Sequence, residues 1–277
     1  MTQVMGILNV TPDSFSDGGE FLSIEAAVAH ARAMERNGAN VIDVGGESTR
    51  PGARVVDERE ECERVLPVIK QLCSELNVPV SIDTQKALVA LRACEVGASI
   101  INDISAGSDP EMIDVARHTG ADLILMHMQG TPENMQDKPV YDDVVEEVKD
   151  FLLEKASSAA ECGISADKIW IDPGVGFGKT VEHNFALLRC LKTFVDTPYK
   201  VCLGASRKSF LRTAGEQAGY ESVPSQEQRV RTLRRIGGSL AAALWASHCN
   251  VAMVRVHDVQ ATVHALTVAN CIQGEKC

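Results

Sequence analysis

Short apolar runs alternate with amphipathic segments along the whole chain. Eight runs rich in Val, Ile and Leu predict buried strands at 4–9, 40–45, 78–83, 99–104, 121–127, 168–172, 200–205 and 250–256, because strands covered on both faces are apolar throughout. The segments between them have helical periodicity at 24–37, 57–76, 86–96, 110–118, 141–163, 181–192 and 258–272, with one or two further helices within 207–247. Strands that alternate with helices in this way are typical of parallel sheets.

This order of elements predicts an α/β fold, a single (β/α)8 TIM barrel domain over residues 1–277. Eight strand–helix units in 277 residues come to roughly 35 residues each. This is close to one eighth of the ~250 residues of a typical barrel. An open doubly wound sheet is the alternative, and it would place a glycine-rich fingerprint in the first turn after a strand. That turn reads Asn9-Val10-Thr11-Pro12-Asp13 instead, which favours the barrel.

The composition narrows the class of protein further. The net charge of −11 disfavours nucleic-acid binding, which needs clustered Lys and Arg. No apolar run reaches the roughly 18 residues that span a bilayer, and no signal peptide is visible, so we expect a cytoplasmic protein without a membrane partner. The nine cysteines form no C-x-x-C pair, and we expect them to be reduced, small apolar residues of the interior.

Polar side chains follow nearly every predicted strand. Asp83, Asn102 and Asp172 stand at the ends of the third, fourth and sixth strands. A barrel would aim them at one cavity on its carboxyl-end rim, where barrel enzymes carry their chemistry. Two carboxylates and a carboxamide could bind a metal, or they could bind the N–H-rich edge of a flat heterocycle. The lack of a histidine among them argues against zinc.

The loops after the first two strands carry further candidates. The first loop is polar, contains two glycines and is longer than a tight turn, which is typical of a mobile lid. Asn9 opens this loop, where its side-chain oxygen could reach a cation. In the second loop Arg50 stands between Thr49 and Pro51, and its guanidinium suits a carboxylate or a phosphate. A pair with Glu47 or Asp43 is the alternative for Arg50.

The segment from Asp172 to Thr180 is only superficially like a phosphate-binding P-loop. Pro173 stands where that motif needs a glycine, so we reject nucleotide binding here. The dense glycines let the backbone approach a flat ligand closely, and Phe177 could pack beside it. At the end of the fifth strand Met126 is expected to line the pocket, whereas we assign His127 no catalytic role.

The last two strands end in basic and hydroxyl-bearing residues. Ser206 and Lys208 follow the seventh strand and are placed to hold polar ligand atoms. Arg255 and His257 lie on one face of the eighth strand, because side chains alternate along a strand. An Arg and a His at this corner of a barrel suggest a phosphate site.

Seven of these segments together resemble the dihydropteroate synthases of the folate pathway, the targets of sulfonamides. The longest are GILNVTPDSFSDGG at 6–19 and GGESTRPG at 45–52. The others lie at 81–84, 101–103, 172–179, 206–209 and 255–258. The resemblance extends from about residue 4 to 270, and we find no departure from it at a functional position.

The resemblance implies a transferase that joins 6-hydroxymethyl-7,8-dihydropterin diphosphate to 4-aminobenzoate by a dissociative, SN1-like displacement, giving 7,8-dihydropteroate and pyrophosphate. It also implies Mg2+ as cofactor and a homodimer. Carried over to this sequence, the pterin would contact Asp83, Asn102, Met126, Asp172, Phe177 and Lys208. The diphosphate would contact Asn9 through Mg2+, and Thr49, Arg255 and His257 directly. The aminobenzoate would contact Phe15, Arg50, Pro51 and Ser206. The implied catalytic set is Asp17, Lys208, Arg255 and His257.

Two other functions compete with this interpretation. A pterin-dependent methyltransferase would hold a pterin with similar Asp and Asn residues, but it has no use for a diphosphate site. A non-catalytic pterin-binding paralogue would be expected to lose Asn9, Asp17 or Arg255, and all three are present. Release of pyrophosphate from the two substrates separates these possibilities.

Overall fold

The computed structural model describes residues 1–11, 19–48, 56–217 and 228–274, with only the backbone of 19–23, 217 and 228–235. Eight parallel strands close into a barrel in the order of the sequence, β1 pairing with β8. They are β1 Gln3–Asn9, β2 Val41–Gly45, β3 Val80–Asp83, β4 Ile100–Asp103, β5 Asp122–Met126, β6 Ile169–Asp172, β7 Lys200–Leu203 and β8 Met253–Val256. The predicted (β/α)8 barrel is therefore confirmed and the open sheet is excluded.

Helices surround the barrel in the described part of the chain. They are α1 Gly19–Arg36, α2 Glu58–Glu75, α3 Ala87–Glu95, α4 Met112–Thr119, α5 Val144–Glu161, α6 Val181–Arg189, α7 Leu191–Val195, α8 Ser209–Gln217, α9 Gln228–His248 and α10 Val259–Ile272. Most of the buried apolar residues fill the layer between these helices and the strands. None of the described helices has the length and apolar character that a membrane span requires.

Most boundaries differ from the sequence prediction by one to three residues, and three of the differences have a clear structural meaning. Helix α1 begins five residues earlier than the predicted position 24. The predicted helix 181–192 is two helices that meet at Cys190. Strand β8 begins at Met253 rather than at 250, because Asn250 has a φ of 63° and Val251 N donates to Ala246 O. Those contacts end helix α9, so the apolar run at 250–252 belongs partly to a helix end.

An apolar plug fills the barrel near the amino ends of the strands. Its residues point inward from seven strands and are all buried: Met5, Val41, Ile100, Ile124, Trp170, Cys202 and Met253. Trp170 contributes the largest side chain, and its Nε1 donates to Asp122 Oδ2 at 2.8 Å. The barrel is thus closed by its own side chains at this end, and the polar interior positions lie towards the carboxyl ends.

The cysteines agree with the sequence prediction except at two positions, because Cys162 is exposed rather than interior and Cys271 is not a free thiol. Seven described cysteines are free thiols, and Cys202 is fully buried in the plug. Cys271, near the end of α10, is disulfide-bonded, so the expectation that every cysteine is reduced is wrong there. The apolar positions of the other thiols raise the pKa of several of them through burial, Cys94 and Cys202 included, which keeps them protonated.

Candidate active site

Three strand ends bring Asp83, Asn102 and Asp172 to the carboxyl-end rim. Asp83 is the last residue of β3 and is in register with Asn102 of β4. Asp172 is the last residue of β6 and is in register with Met126 of β5. Asn102, Met126 and Asp172 are buried, with exposed fractions of 4–5%. The strand geometry therefore builds a recessed floor of carboxylate, carboxamide and thioether groups, to which we refer as the polar floor.

A buried ion-pair network crosses this floor. Arg255 of β8 donates from Nε to Asp43 Oδ2 at 2.6 Å and from Nη2 to Asp83 Oδ2 at 2.5 Å. Asn102 Nδ2 donates to the same Asp43 oxygen at 3.1 Å. Asp43 is completely buried, and its second oxygen has no hydrogen-bond partner among the described residues. Two carboxylates thus share one guanidinium at the centre of the barrel mouth.

The charges in this network shift the pKa values of its members. Burial raises the pKa of Asp83 to about 7, and the carboxylate of Asp43 acts in the same direction against the attraction of Arg255. The pKa of Arg255 is raised by its two carboxylate partners despite its burial. Arg255 is therefore always charged, and Asp83 is the member of the network that titrates near neutral pH.

Asp43 is a residue of this site that the sequence interpretation did not single out. The sequence signal was present, because Asp43 stands inside the apolar run Val41-Ile42-Asp43-Val44. A carboxylate that points into a barrel must be paired to be tolerated there. Its partner Arg255 lies 212 positions further along the chain, and only the closure of the barrel brings the two together.

A second cation, Lys208, faces the floor from the segment after β7. Its Nζ lies 4.3 Å from the centroid of the Phe177 ring and donates to the carbonyl of Val175. Burial lowers the pKa of Lys208 to about 8, although the carboxylate of Asp172 acts in the opposite direction. Burial also raises the pKa of Asp172, which Lys208 partly offsets. The structure therefore brings together three of the predicted pterin contacts, Asp172, Phe177 and Lys208.

Ser206 and His257 are in direct contact. Ser206 Oγ lies 3.1 Å from His257 Nδ1 and accepts a hydrogen bond from His257 N at the same distance. Next to them Arg207, which has a φ of 59°, pairs with Asp258 through Nε at 2.9 Å and Nη2 at 2.5 Å. This pair ties the turn after β7 to the start of α10. The groups predicted to hold an aminobenzoate carboxylate and a diphosphate are thus neighbours.

Asn9 ends β1 in register with Gly45 of β2 and is partly buried. It therefore lies on the same rim as Asp83, which is in register with Gly45 from the other side. The remaining predicted site residues, Phe15, Asp17, Thr49, Arg50 and Pro51, lie outside the described residues. Their predicted roles stay predictions.

A charge cluster next to β2 and β3 is another feature that the sequence interpretation missed. Lys86 Nζ lies 2.5 Å from Glu47 Oε2 and 2.6 Å from Glu61 Oε2. Glu61 is fully buried, and burial raises its pKa. Glu47 also accepts a hydrogen bond from Val56 N at 3.0 Å. The cluster joins the residues that flank 49–55 to helices α2 and α3.

The chemistry of this rim is that of a site for a flat, N–H-rich ligand and an anion. The floor offers carboxylate and carboxamide oxygens that can accept from ring and exocyclic N–H groups. Lys208, Arg255 and His257 supply cationic and donor groups at its edge. A parallel barrel with such a carboxyl-end rim belongs to the class of barrel enzymes that act on small molecules.

Comparisons with known proteins identify the family within this class. The sequence model of the family described as pterin binding enzyme matches residues 5–257. Dihydropteroate synthase of Escherichia coli K12 is 44% identical over 273 residues, covering 99% of this chain and 92% of the relative. The chain therefore belongs to the pterin-binding enzymes, in the dihydropteroate synthase family.

Solved structures agree with this assignment. A structure of Xanthomonas albilineans dihydropteroate synthase with 4-aminobenzoic acid has a TM-score of 0.88 and 43% identity, covering 99% of this chain and 94% of that one. A structure of the enzyme from the same organism in complex with 7,8-dihydropteroate has a TM-score of 0.85 and 40% identity, covering 99% and 95%. The likeness extends over essentially the full length of both chains.

Proposed function

We propose that the protein catalyses the dihydropteroate synthase reaction at the carboxyl-end rim. The reaction joins 6-hydroxymethyl-7,8-dihydropterin diphosphate to 4-aminobenzoate and releases pyrophosphate. The observation that carries the proposal is the full-length match to dihydropteroate synthases, among them structures that hold 4-aminobenzoic acid and 7,8-dihydropteroate. The polar floor and its cationic edge supply the groups that these two ligands need.

In this proposal the pterin ring lies on the polar floor. Asp172 accepts from the 2-amino group and N3–H, for which a carboxylate with two parallel acceptors is suited. Asp83 and Asn102 hold the opposite edge of the ring, while Met126 and Phe177 line it. Lys208 is placed by Phe177 and Val175 to face the ring from the side. The burial of the floor strengthens each of these hydrogen bonds by excluding water.

The diphosphate lies at the corner formed by β1 and β8. We assign Arg255 and His257 to its oxygens, together with Thr49. The network with Asp43 and Asp83 supports this role for Arg255, because it holds the guanidinium at the rim in one orientation. His257 is held in the same way by Ser206.

The residues present fit a Mg2+ ion that arrives with the diphosphate. Mg2+ prefers oxygen ligands, keeps several waters and commonly takes only one or two protein groups beside substrate phosphates. Asn9 offers such an oxygen at the rim, and the described residues contain no cluster of three or more carboxylate, imidazole or thiolate groups for a resident metal. When bound, Mg2+ would neutralise charge on the departing diphosphate.

The aminobenzoate lies between Ser206 and the loops after β1 and β2. We assign its carboxylate to Ser206, and assign Phe15, Arg50 and Pro51 to the rest of the molecule. Because Ser206 contacts His257, the aminobenzoate subsite borders the diphosphate corner. In this proposal the arylamine lies beside the carbon from which the diphosphate departs.

The proposed mechanism is dissociative. The C–O bond to the diphosphate breaks first, and its electron pair leaves with pyrophosphate. The methylene carbon of the pterin becomes cationic, and the neutral amine of aminobenzoate then forms the C–N bond and loses a proton to the released pyrophosphate. Arg255 and His257 stabilise the leaving polyanion, Lys208 holds the ring, and Asp17 stabilises the transient cation.

Pyrophosphate release is the decisive experiment. The purified protein with both substrates and Mg2+ is expected to release pyrophosphate and form dihydropteroate in equal amounts, and neither substrate alone should suffice. Chelation by EDTA is expected to abolish turnover, and added Mg2+ to restore it. Pterin binding without pyrophosphate release would contradict the proposal and favour a methyltransferase or a non-catalytic binding protein.

A homodimer and a cytoplasmic location complete the proposal. The resemblance to the family supports the first, and the seven free thiols support the second. Light scattering of the purified protein at several concentrations would measure the mass directly. A mass close to 29.9 kDa at all concentrations would contradict the dimer.

A further inference from the structure

Lys179 is a buried cation that the mechanism above does not use. Only 3% of its surface is exposed. Its Nζ lies 2.9 Å from His127 Nδ1, 2.9 Å from Phe177 O, 3.1 Å from Gly174 O and 3.3 Å from His127 O. Among these partners there is no carboxylate, so the amine is held by neutral acceptors alone.

Burial of an ammonium group costs free energy unless each of its N–H donors forms a hydrogen bond. Burial lowers the pKa of Lys179 well below its ordinary value, and only Asp172 nearby opposes this. Burial and the neighbouring Lys179 lower the pKa of His127 to about 3, so His127 is neutral and its Nδ1 can accept when Nε2 carries the proton. Three backbone carbonyls and one imidazole nitrogen then offer four acceptors to the three donors of an ammonium group, so every donor has a partner.

The atoms that Lys179 holds are those that position Asp172. Gly174 O accepts from Lys179, while Gly174 N donates to Asp172 Oδ1 at 2.7 Å. The backbone at Gly174 has a φ of 65°, and a Cβ there would lie 1.8 Å from His127 O. Strand β5 and the turn after β6 are therefore in contact through backbone atoms, and Lys179 bridges the two.

The same amine also holds the residue that supports Lys208. Phe177 O accepts from Lys179, and Phe177 N donates to Gly174 O at 3.0 Å. The ring of Phe177 in turn lies 4.3 Å from Lys208 Nζ. One buried side chain is thus linked through two peptide groups to Asp172 on one side and to Lys208 on the other.

We propose that Lys179 is a positioning residue for the pterin. It fixes the turn from Gly174 to Phe177 against the end of β5, so that Asp172 and Phe177 keep the spacing that a planar bicyclic ligand requires. Lys179 acts through these residues and does not itself touch the substrate. The inference rests on the proposed function in one respect, the assignment of the pterin to the polar floor.

The test is Lys179→Met, which keeps the side chain unbranched and only one atom shorter and removes the donors. The exchange releases the turn from Gly174 to Phe177 that positions Asp172 and Phe177, so we expect Kd for a pterin without diphosphate to rise about 10-fold, measured by pterin fluorescence. KM for 4-aminobenzoate should change by less than about 2-fold, because the hydrogen bonds that connect Lys179 to Asp172 and Phe177 do not include Ser206. An unchanged pterin Kd, or equal rises in both constants, would overturn the proposal.

Two further variants keep the test decisive. Lys168→Met is the matched control, because Lys168 also donates to a backbone carbonyl, that of Gly120, but is only partly buried and lies outside the rim; pterin binding should not change. If Lys179→Met does not fold, Tyr141→Phe removes the bond from Tyr141 OH to Gly178 O at 2.8 Å. This variant should weaken pterin binding about 3-fold without altering KM for 4-aminobenzoate, and an unchanged pterin Kd would again overturn the proposal.

The outcome for wild type separates this inference from the proposed function. Wild-type protein that neither binds a pterin nor releases pyrophosphate would contradict the proposed function, and with it the pterin as the ligand of this floor. Wild-type protein that does both, together with Lys179→Met that binds the pterin normally, would contradict only the role of Lys179.

Discussion

Arg255 Nε lies 2.6 Å from Asp43 Oδ2 in the interior of the barrel mouth, and Asp43 is completely buried. The pair is not isolated, because the same guanidinium also binds Asp83. Burial, together with the neighbouring carboxylate of Asp43, raises the pKa of Asp83 to about 7, whereas the two carboxylates keep Arg255 charged. The pair therefore serves both the stability of the barrel and the orientation of Arg255.

Asp43→Asn tests this dual role. The exchange removes the carboxylate that accepts from both Arg255 Nε and Asn102 Nδ2, so we expect the free energy of unfolding to fall by about 1–3 kcal/mol in urea denaturation. We also expect a higher KM for the pterin diphosphate, because Arg255 loses its fixed orientation. Asp114→Asn, on the exposed surface of α4, is the control and should alter neither quantity. A rise in KM without loss of stability would show that the pair is not needed for folding.

Asp83 predicts how stability depends on pH. Its pKa in the folded protein is about 7, above the ordinary value of ~3.9 for the unfolded chain. The folded state therefore holds more protons between these values, and the contribution of Asp83 to stability is present below about pH 4 and is lost as the pH rises to about 7.

Asp83→Asn removes this contribution. The Tm of the variant minus the Tm of wild type should therefore increase as the pH is raised from 5 to 8. Comparing the two proteins cancels the effects of other buried carboxylates such as Asp103. A difference in Tm that is independent of pH would show that Asp83 does not titrate in this range.

The lowered pKa of Lys208 predicts where activity falls at high pH, the alkaline limb of the pH profile. Burial lowers its pKa to about 8, so the amine loses its charge as the pH rises through this value. We expect kcat/KM for the pterin diphosphate to fall above about pH 8. In Lys208→Arg the charge persists because a guanidinium has a much higher pKa, and the fall should move to higher pH even if the maximal rate is lower.

The matched control for that experiment is Lys200→Arg. Lys200 Nζ lies 4.7 Å from the ring centroid of Trp170, a residue of the apolar plug, so this exchange should leave the alkaline limb where it is. A limb that stays near pH 8 in Lys208→Arg would assign the titration to another group.

Asp17 is the test of the dissociative mechanism. We expect Asp17→Ala to lower turnover by about 100-fold, because a carboxylate that stabilises the transient cation acts only after the C–O bond breaks. Binding of the pterin diphosphate should remain within about 2-fold of wild type, measured by fluorescence or calorimetry. Turnover equal to that of wild type would remove Asp17 from the mechanism.

The sequence predicted the fold well because each buried strand is a separate apolar run. It also placed Asp83, Asn102 and Asp172 at strand ends, since parallel strands all direct their carboxyl ends to one rim. What it could not provide is which side chains meet across that rim. Asp43 with Arg255, and Lys179 with His127, are joined by the closure of the barrel and by backbone turns, neither of which leaves a local pattern.

The predicted start of β8 was wrong for a related reason. The run Val251-Ala252-Met253 is apolar throughout, so its composition does not show that its first residue completes a helix end through Val251 N and Ala246 O. Burial of a short apolar segment fits a strand or a helix end equally well. The distinction is made by the backbone hydrogen bonds that the rest of the fold permits.

The apolar plug limits how ligands bind to and leave the barrel. Trp170 and Met253 fill the barrel towards the amino ends of the strands, so a ligand on the polar floor enters and leaves through the carboxyl-end rim. It therefore binds before, and leaves after, any ligand that covers it. In the proposed reaction the pterin half of the product rests deepest. Pyrophosphate therefore has to leave the carboxyl-end rim before the product can. A compound bound at that rim would prevent a pterin on the polar floor from dissociating.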